Sequence, residues 1–261
     1  MTTLPGRQSR GAIGVGHTRL PLGPAYAVML ALLYLPIVLL GVFSFSANTT
    51  LTFPLRGFTL SWYSAVFSDP ALLGAARNSL VVGVAAATTA TALGLAVTLA
   101  VVRFQFRGRS ALLALAGAPL LVPFVVLGVP RSLLTVAAGH SVVALPYAVL
   151  ILVSRMIGLD PALEDAAMDL GASYPTTLRR VTVPLLGPSL LAAWLTSFIV
   201  SFDEVALANF LAGGSPTFPV FLYGQLRFAQ RLPVLIAMAV LLMIGTVTLN
   251  LVANRLRSRD Q

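Results

Sequence analysis

The sequence predicts an all-α, polytopic membrane protein, and three observations carry that reading. Hydrophobic residues fill 57% of the 261 positions and charged residues only 10%, where a soluble domain carries about a quarter charged residues. Several uncharged runs approach twenty residues, about the length an α-helix needs to cross a bilayer core. The polar residues are concentrated rather than scattered: Ser154 to Gly187 alone holds four of the eight acidic residues. The mean hydropathy of +0.91 agrees.

Composition also excludes function classes. The net charge of +9 is read as basic residues flanking membrane spans, which set orientation, and not as a nucleic-acid surface. With no Cys there is no disulfide framework, Cys-ligated metal site or thiol nucleophile. His17 and His140 are too few and too scattered to suggest a metal site, and no cofactor is expected. All seventeen basic residues are Arg, so a Walker A lysine is impossible. Neither HExxH nor a nucleophile paired by motif with His is present, so the chain is not expected to be an enzyme.

Residues 1–21 form a Gly/Arg-rich tail with Arg7, Arg10 and Arg19. The apolar run Pro24 to Phe45 is long enough to span a bilayer and exceeds a usual signal-peptide core, so it is read as an uncleaved first span. Ser46 to Arg77 reads as a mixed loop, with Trp62 and Tyr63 suited to a membrane interface. Span 2, Ser79 to Val102, carries no charge and is rich in Ala, Gly and Thr, which let helices approach closely. The basic loop RFQFRGR follows at 103–109.

Span 3, about 111–129, is interrupted by Pro119 and Pro123. Span 4, about 132–153, contains Pro146. Only Pro130 and Arg131 separate them, so a very tight hairpin is expected, and the prolines argue for surroundings packed by protein. Span 5 is Pro188 to Leu211 and span 6 is Pro233 to Ala253. Six spans put both termini on one side. That side holds twelve Arg and the other five, which places the termini and the 154–187 stretch in the cytosol.

Within that stretch the residues spell helix, bend, helix. Asp160 is a good N-cap and Pro161 fits the first helical position. Glu164 and Asp165 follow where the helix dipole favours negative charge. Leu163, Ala166, Ala167 and Leu170 share one face, and Gly171 suits a left-handed C-terminal position. Ser173 can cap a second helix with Pro175 in its first turn, Arg179 and Arg180 in its last, and Val183-Pro184 at its end. The residues alone fit either a docking element or a solvated loop.

Asp203 and Glu204 are the only carboxylates inside a span. Such groups cost about 2.5–3.5 kcal/mol each at mid-bilayer on insertion scales and usually face an interior or cavity. Two readings stand: one or both line a pathway for cationic or amine-bearing solutes, or they are structural, through an ion pair with Arg or capping at a break near Ser201. For His140 a bond to a packed neighbour is preferred over solute contact. Phe198, Phe202 and Phe210 are read as packing.

The stretch resembles the EAA loop of permease subunits of binding-protein-dependent ABC importers. That pattern is Glu-Ala-Ala, three residues, Gly, nine residues, Ile-x-Leu-Pro. Here it reads Asp165-Ala166-Ala167, three residues, Gly171, nine residues, Val181-Thr182-Val183-Pro184. Asp replaces Glu, with Glu164 immediately before it, and Val replaces Ile and Leu. The runs HSVVALPYAVLILVSR and SFDEVALANFLAG resemble the subfamily of second permeases of spermidine/putrescine importers. The chain departs from that subfamily between Pro123 and His140, where it is shorter.

The resemblance implies a MetI-like six-helix permease domain over 22–261. Its coupling loop at 154–187 would engage a cytosolic ATPase through Glu164, Asp165, Ala166, Ala167, Gly171 and Pro184. It also implies a second permease subunit (a different chain), an extracytoplasmic solute-binding protein and surrounding membrane lipid as partners. The implied solute is polyamine-like or another small molecule. Similar permeases serve ferric iron, thiamine, phosphonates and opines. A non-transporting scaffold and an ATPase-independent secondary transporter are the readings from other classes.

Overall fold

A computed structural model describes residues 22–117 and 130–257 of the chain. The expected N-terminal tail at 1–21 and the prolines Pro119 and Pro123 of span 3 lie outside the described residues. So does the first part, up to residue 129, of the segment between Pro123 and His140 that is shorter than in the resembled subfamily.

Helix α1 (Leu22–Ser44) is apolar on every side, as a helix facing a nonpolar medium should be. Only 6% of its most apolar window is buried within the chain. It leans on the last helix, α12 (Leu232–Arg257).

The stretch expected to be a mixed loop is more ordered than that. It holds α2 (Ser61–Ser68) and the first turns of α3 (Pro70–Arg103). Trp62 and Tyr63 spend their polar tips inside the protein rather than as free interface anchors. The indole Nε1 donates to the Ser46 carbonyl at 2.7 Å, and the phenol bonds the Ser44 hydroxyl at 2.8 Å. Together they stitch α2 to the end of α1.

The start of α3 is fixed by Asp69, whose Oδ1 accepts from the N–H groups of Ala71 and Leu72 at 3.0 and 3.1 Å, with Pro70 in the first turn where its missing N–H costs nothing. At 34 residues α3 is about 51 Å long, longer than a bilayer core of about 30 Å. Its first turns therefore project beyond the expected span 2. An ion pair between Asp69 and Arg231 ties this end to the turn before α12.

The centre is a three-helix body of α3, α5 (Leu133–Ile157) and α9 (Gly187–Asp203). Small residues make it close. A β-carbon on Gly94 would lie 3.0 Å from the Ala148 Cβ, and one on Gly83 would lie 2.8 Å from the Phe198 ring. Ala86, Ala87, Ala90, Ala144, Ala148 and Ala193 are fully or almost fully buried there, which is how small-residue faces bring helix backbones together. Ser132 caps α5 through its hydroxyl and Thr135 N–H, 3.2 Å apart. Span 4 runs as expected, one turn longer, with Pro146 buried inside it.

Three described helices, α1, α3 and α5, are long and apolar enough to cross a membrane. A fourth crossing is available if the segment Tyr174–Leu185 and α9, joined at a 68° bend, count as one. Of span 3, α4 (Arg109–Gly117) is described.

Span 5 departs from expectation. It is not one helix from Pro188 to Leu211: α9 stops at Asp203, Glu204 is extended, and α10 (Ala206–Leu211) starts anew. Beyond it, α11 (Phe218–Gln225) lies in the stretch between the expected spans 5 and 6.

Candidate functional site: the polar loop and the broken helix

The polar stretch folds as its caps dictate. Helix α6 (Ala162–Asp169) starts one residue later than expected, with Pro161 at the cap position, and Asp160 Oδ1 still accepts from Ala162 N–H at 2.9 Å. It ends at Gly171, which has φ +89°. There Gly171 N–H bonds the Met168 carbonyl and Ala172 N–H bonds the Ala167 carbonyl. This is the Schellman pattern, which satisfies the helix's last acceptors. A β-carbon at Gly171 would meet nothing within 4 Å, so the glycine is required by backbone angle and not by space.

The second helix differs from its prediction in two ways. Ser173 stands at the cap position of α7 (Tyr174–Thr177), but its hydroxyl pairs with that of Thr176 at 2.9 Å rather than with a backbone N–H. Pro184 does not end the helix. The chain widens into a π turn at Leu178–Thr182 and stays helical through α8 (Val183–Leu185) before bending into α9. Within an α-helix, a proline here would clash with the carbonyl four residues back. The wider turn, in which Val183 N–H reaches the Leu178 carbonyl, relieves that clash and shifts the break to Leu186.

The faces of α6 separate the predicted coupling residues. Asp165 and Ala166 are exposed and Ala167 is half-buried. Around them Leu163, Met168 and Leu170 present apolar side chains to the outside, Leu170 at 90% exposure. Pro184 is exposed as well. Glu164 points the other way. It is buried, and its Oε1 accepts from Arg103 Nε at 3.2 Å and from the Thr182 hydroxyl at 2.8 Å.

Glu164 is therefore engaged from behind by Arg103 and Thr182 and does not stand on the outer face of α6 with Asp165 and Ala166. It holds three elements together: the end of α3, the start of α6 and the π turn. Both charges also sit well for the helix dipoles, Arg103 in the last turn of α3 and Glu164 in the first turn of α6. Tyr174 adds a second tie through an edge contact with the Phe104 ring at 5.8 Å. Burial and then the Glu164 charge push its phenol pKa up, with Arg103 acting against them.

Arg103 and Thr182 escaped the sequence reading. They lie 61 and 18 residues from Glu164, and only the fold joins them. The one available signal was that Arg103 opens a basic loop directly after an uncharged span.

The carboxylates of the broken helix also divide. Glu204 Oε1 accepts from Leu207 N–H at 3.0 Å, so the side chain caps α10 and sustains the break. The structural reading therefore holds for Glu204, through capping and not through an Arg. Asp203 is exposed and makes no hydrogen bond or ion pair among the described residues.

His140 is fully buried, with Nδ1 2.9 Å from the Ser201 hydroxyl, which is the packed-neighbour reading. On α9, Trp194 stacks on Phe198 at 5.6 Å and Phe198 tilts against Phe202 at 5.9 Å. Phe210, expected to pack, is instead 67% exposed. Beside Trp194, which donates to the Thr88 hydroxyl at 3.1 Å, an apolar groove of about 570 Å³ runs along α3 past Leu80, Val84 and Thr88. Among the described residues no group of His, Asp and Glu could hold a metal ion.

The described residues thus form a close-packed helical body with a short outward-facing helix on its polar loop. The fold matches a crystal structure of a bacterial ABC transporter involved in the import of the acidic polysaccharide alginate. The TM-score is 0.70 over 90% of this chain and 95% of that one, at 18% identity.

By sequence the chain is 33% identical over 255 residues to the spermidine/putrescine transport system permease protein PotC of Escherichia coli K12, covering 93% of this chain and 96% of that protein. It is 30% identical over 230 residues to the putrescine transport system permease protein PotI of the same strain, covering 81% of each. No family model matches the chain. At that identity and coverage, it belongs to the family of ABC importer permease subunits that includes these two proteins.

Proposed function

We propose that the chain forms one half of the membrane pathway of an ATP-driven importer for an amine-bearing, polyamine-like solute. The other half is a second, different permease chain, and a solute-binding protein outside the membrane delivers the cargo. Both termini and the 154–187 loop face the cytosol, where α6 docks on the ATPase. The family relationship over 93% of the chain carries the importer reading. The exposed face of α6, with Asp165, Ala166, Leu163 and Leu170 outward, supports the docking role.

The loop transmits movement because it is clamped from behind. Pushing α6 displaces Glu164, and Glu164 pulls on Arg103 at the end of α3 and on Thr182 ahead of α9. Those two helices belong to the central three-helix body. A local force is thus delivered to the helices that would line or gate the pathway, and no hydrolytic chemistry is asked of this chain. Asp203 is the pathway carboxylate of choice, since Glu204 is engaged in capping.

The test is reconstitution of this chain with its ATPase, second permease and binding protein in vesicles, followed by uptake of labelled putrescine and spermidine. ATP-dependent accumulation that stops when the ATPase is omitted is the expected result. Uptake that persists without the ATPase sinks the coupling. ATP hydrolysis stimulated by the loaded binding protein, but without accumulation of either amine, sinks the solute class.

A further inference from the structure

The segment Tyr174–Leu185 carries a second surface, apart from the outer face of α6. Pro175, Thr176, Arg179 and Arg180 line a cleft of about 420 Å³, within the range of about 300–1,000 Å³ for ligand sites. Both guanidiniums are exposed. Neither has an ion-pair partner among the described residues, where the carboxylates in ion pairs are Glu164, taken by Arg103, and Asp69, taken by Arg231.

The place of the cleft narrows its occupant. The segment is bent 68° from α9, so a helix that follows the bilayer normal in α9 turns toward the membrane plane here. Leu178 and Val181 are half-buried on the inner side of the turn that exposes the two arginines. Phe104 is exposed just past the end of α3, and its ring contact with Tyr174 sets it next to the residues that line the cleft. Aromatic and apolar groups beside unpaired cations are what the boundary between headgroups and acyl chains favours. Arginine is suited to phosphate because its planar fork donates two parallel hydrogen bonds.

We propose that the Arg179/Arg180 cleft binds the phosphate of an anionic phospholipid headgroup on the cytosolic leaflet, fastening the coupling segment to the membrane surface. This rests on the cytosolic placement of the loop proposed above. An acidic surface of the ATPase is less well matched, because α6 and not the π turn presents the loop's outward apolar face.

The experiment uses the purified assembly with its ATPase and second permease, equilibrated with phosphatidylglycerol or phosphatidylcholine, with bound lipid counted by native mass spectrometry. The double substitution Arg179→Gln/Arg180→Gln should weaken phosphatidylglycerol binding about thirtyfold, the effect of two surface arginines on an anionic lipid. Phosphatidylcholine should be unchanged, and Arg155→Gln, an exposed arginine off the cleft, should bind like the parent. Inorganic phosphate in millimolar excess should leave the lipid bound.

Undiminished phosphatidylglycerol binding by the double variant overturns the proposal. So does displacement by inorganic phosphate, which would make the cleft a free-anion site. Loss of the ATPase with lipid retained would assign the arginines to that subunit. The placement is tested apart from the lipid: Arg180→Cys introduces the sole thiol, and its labelling by an impermeant maleimide from the outer face would refute the cytosolic loop.

Discussion

Replacing Glu164 by Ala should release the coupling loop while leaving its outer face intact. The carboxylate accepts from Arg103 and from Thr182, and both partners lose their acceptor in the variant. The Arg103 and Glu164 side chains keep 13% and 11% of their exposure. Removing one member of a buried ion pair costs about 3–5 kcal/mol. Some water reaches this pair, so the lower figure, about 3 kcal/mol, is the better expectation. The cost falls on the contact between loop and body, so the loop's open population should rise on the order of a hundredfold.

Hydrogen exchange measured over residues 160–186 in the assembled transporter reads that population directly, because amide protection tracks local opening. ATP hydrolysis should continue while uptake falls, since the ATPase would then push on a loop no longer fastened to α3. The double variant Glu164→Met/Arg103→Met should recover much of the loss, because an apolar pair of similar size leaves no uncompensated charge. Unchanged protection and uptake in Glu164→Ala would refute the clamp. Damage in the double variant equal to the sum of the two single variants would show that the charges act separately.

At Gly171, φ +89° with open space around the β-carbon predicts a backbone cost of about 1–2 kcal/mol for Ala and less for Asn. Gly171→Asp should uncouple hydrolysis from uptake, and normal transport by that variant would remove the bend from the mechanism. Asp203→Asn should lower amine uptake with the assembly intact, whereas Glu204→Gln should loosen α10, read as faster amide exchange at Leu207. Equal uptake in both variants and the parent would leave Asp203 without a pathway role. Asp69 has its carboxyl pKa lowered: burial opposes this, but the Leu72 and Ala71 N–H groups and Arg231 outweigh it. Its stabilisation of the α3 start is therefore present above the ordinary carboxylate range and lost as pH falls through the lowered value. Protection of Leu72 should persist at neutral pH and decline only in acid, and a decline near neutrality would contradict the cap.

The sequence by itself determined the helical class, the extent of α1, the start of α5 and the approximate ends of α6. Each follows from information a few residues wide: uncharged runs, Ser132 before an apolar stretch, Asp160-Pro161 at a start and Gly171 at a stop. The residue patterns also pointed to the family of permease subunits to which the chain belongs. Tertiary structure decided which carboxylates are free. Glu164 and Asp165 are neighbours in the chain, yet one is buried against Arg103 and the other exposed, because successive helix positions point about 100° apart and only packing selects the inward one. Asp203 and Glu204 divide in the same way: at the break in span 5 Glu204 turns back to Leu207 N–H while Asp203 stays exposed. The π turn ahead of Pro184 belongs here too. A proline announces that a helix must yield, but whether the chain stops or widens depends on what the next turn packs against, and here Thr182 is held by Glu164 from across the loop.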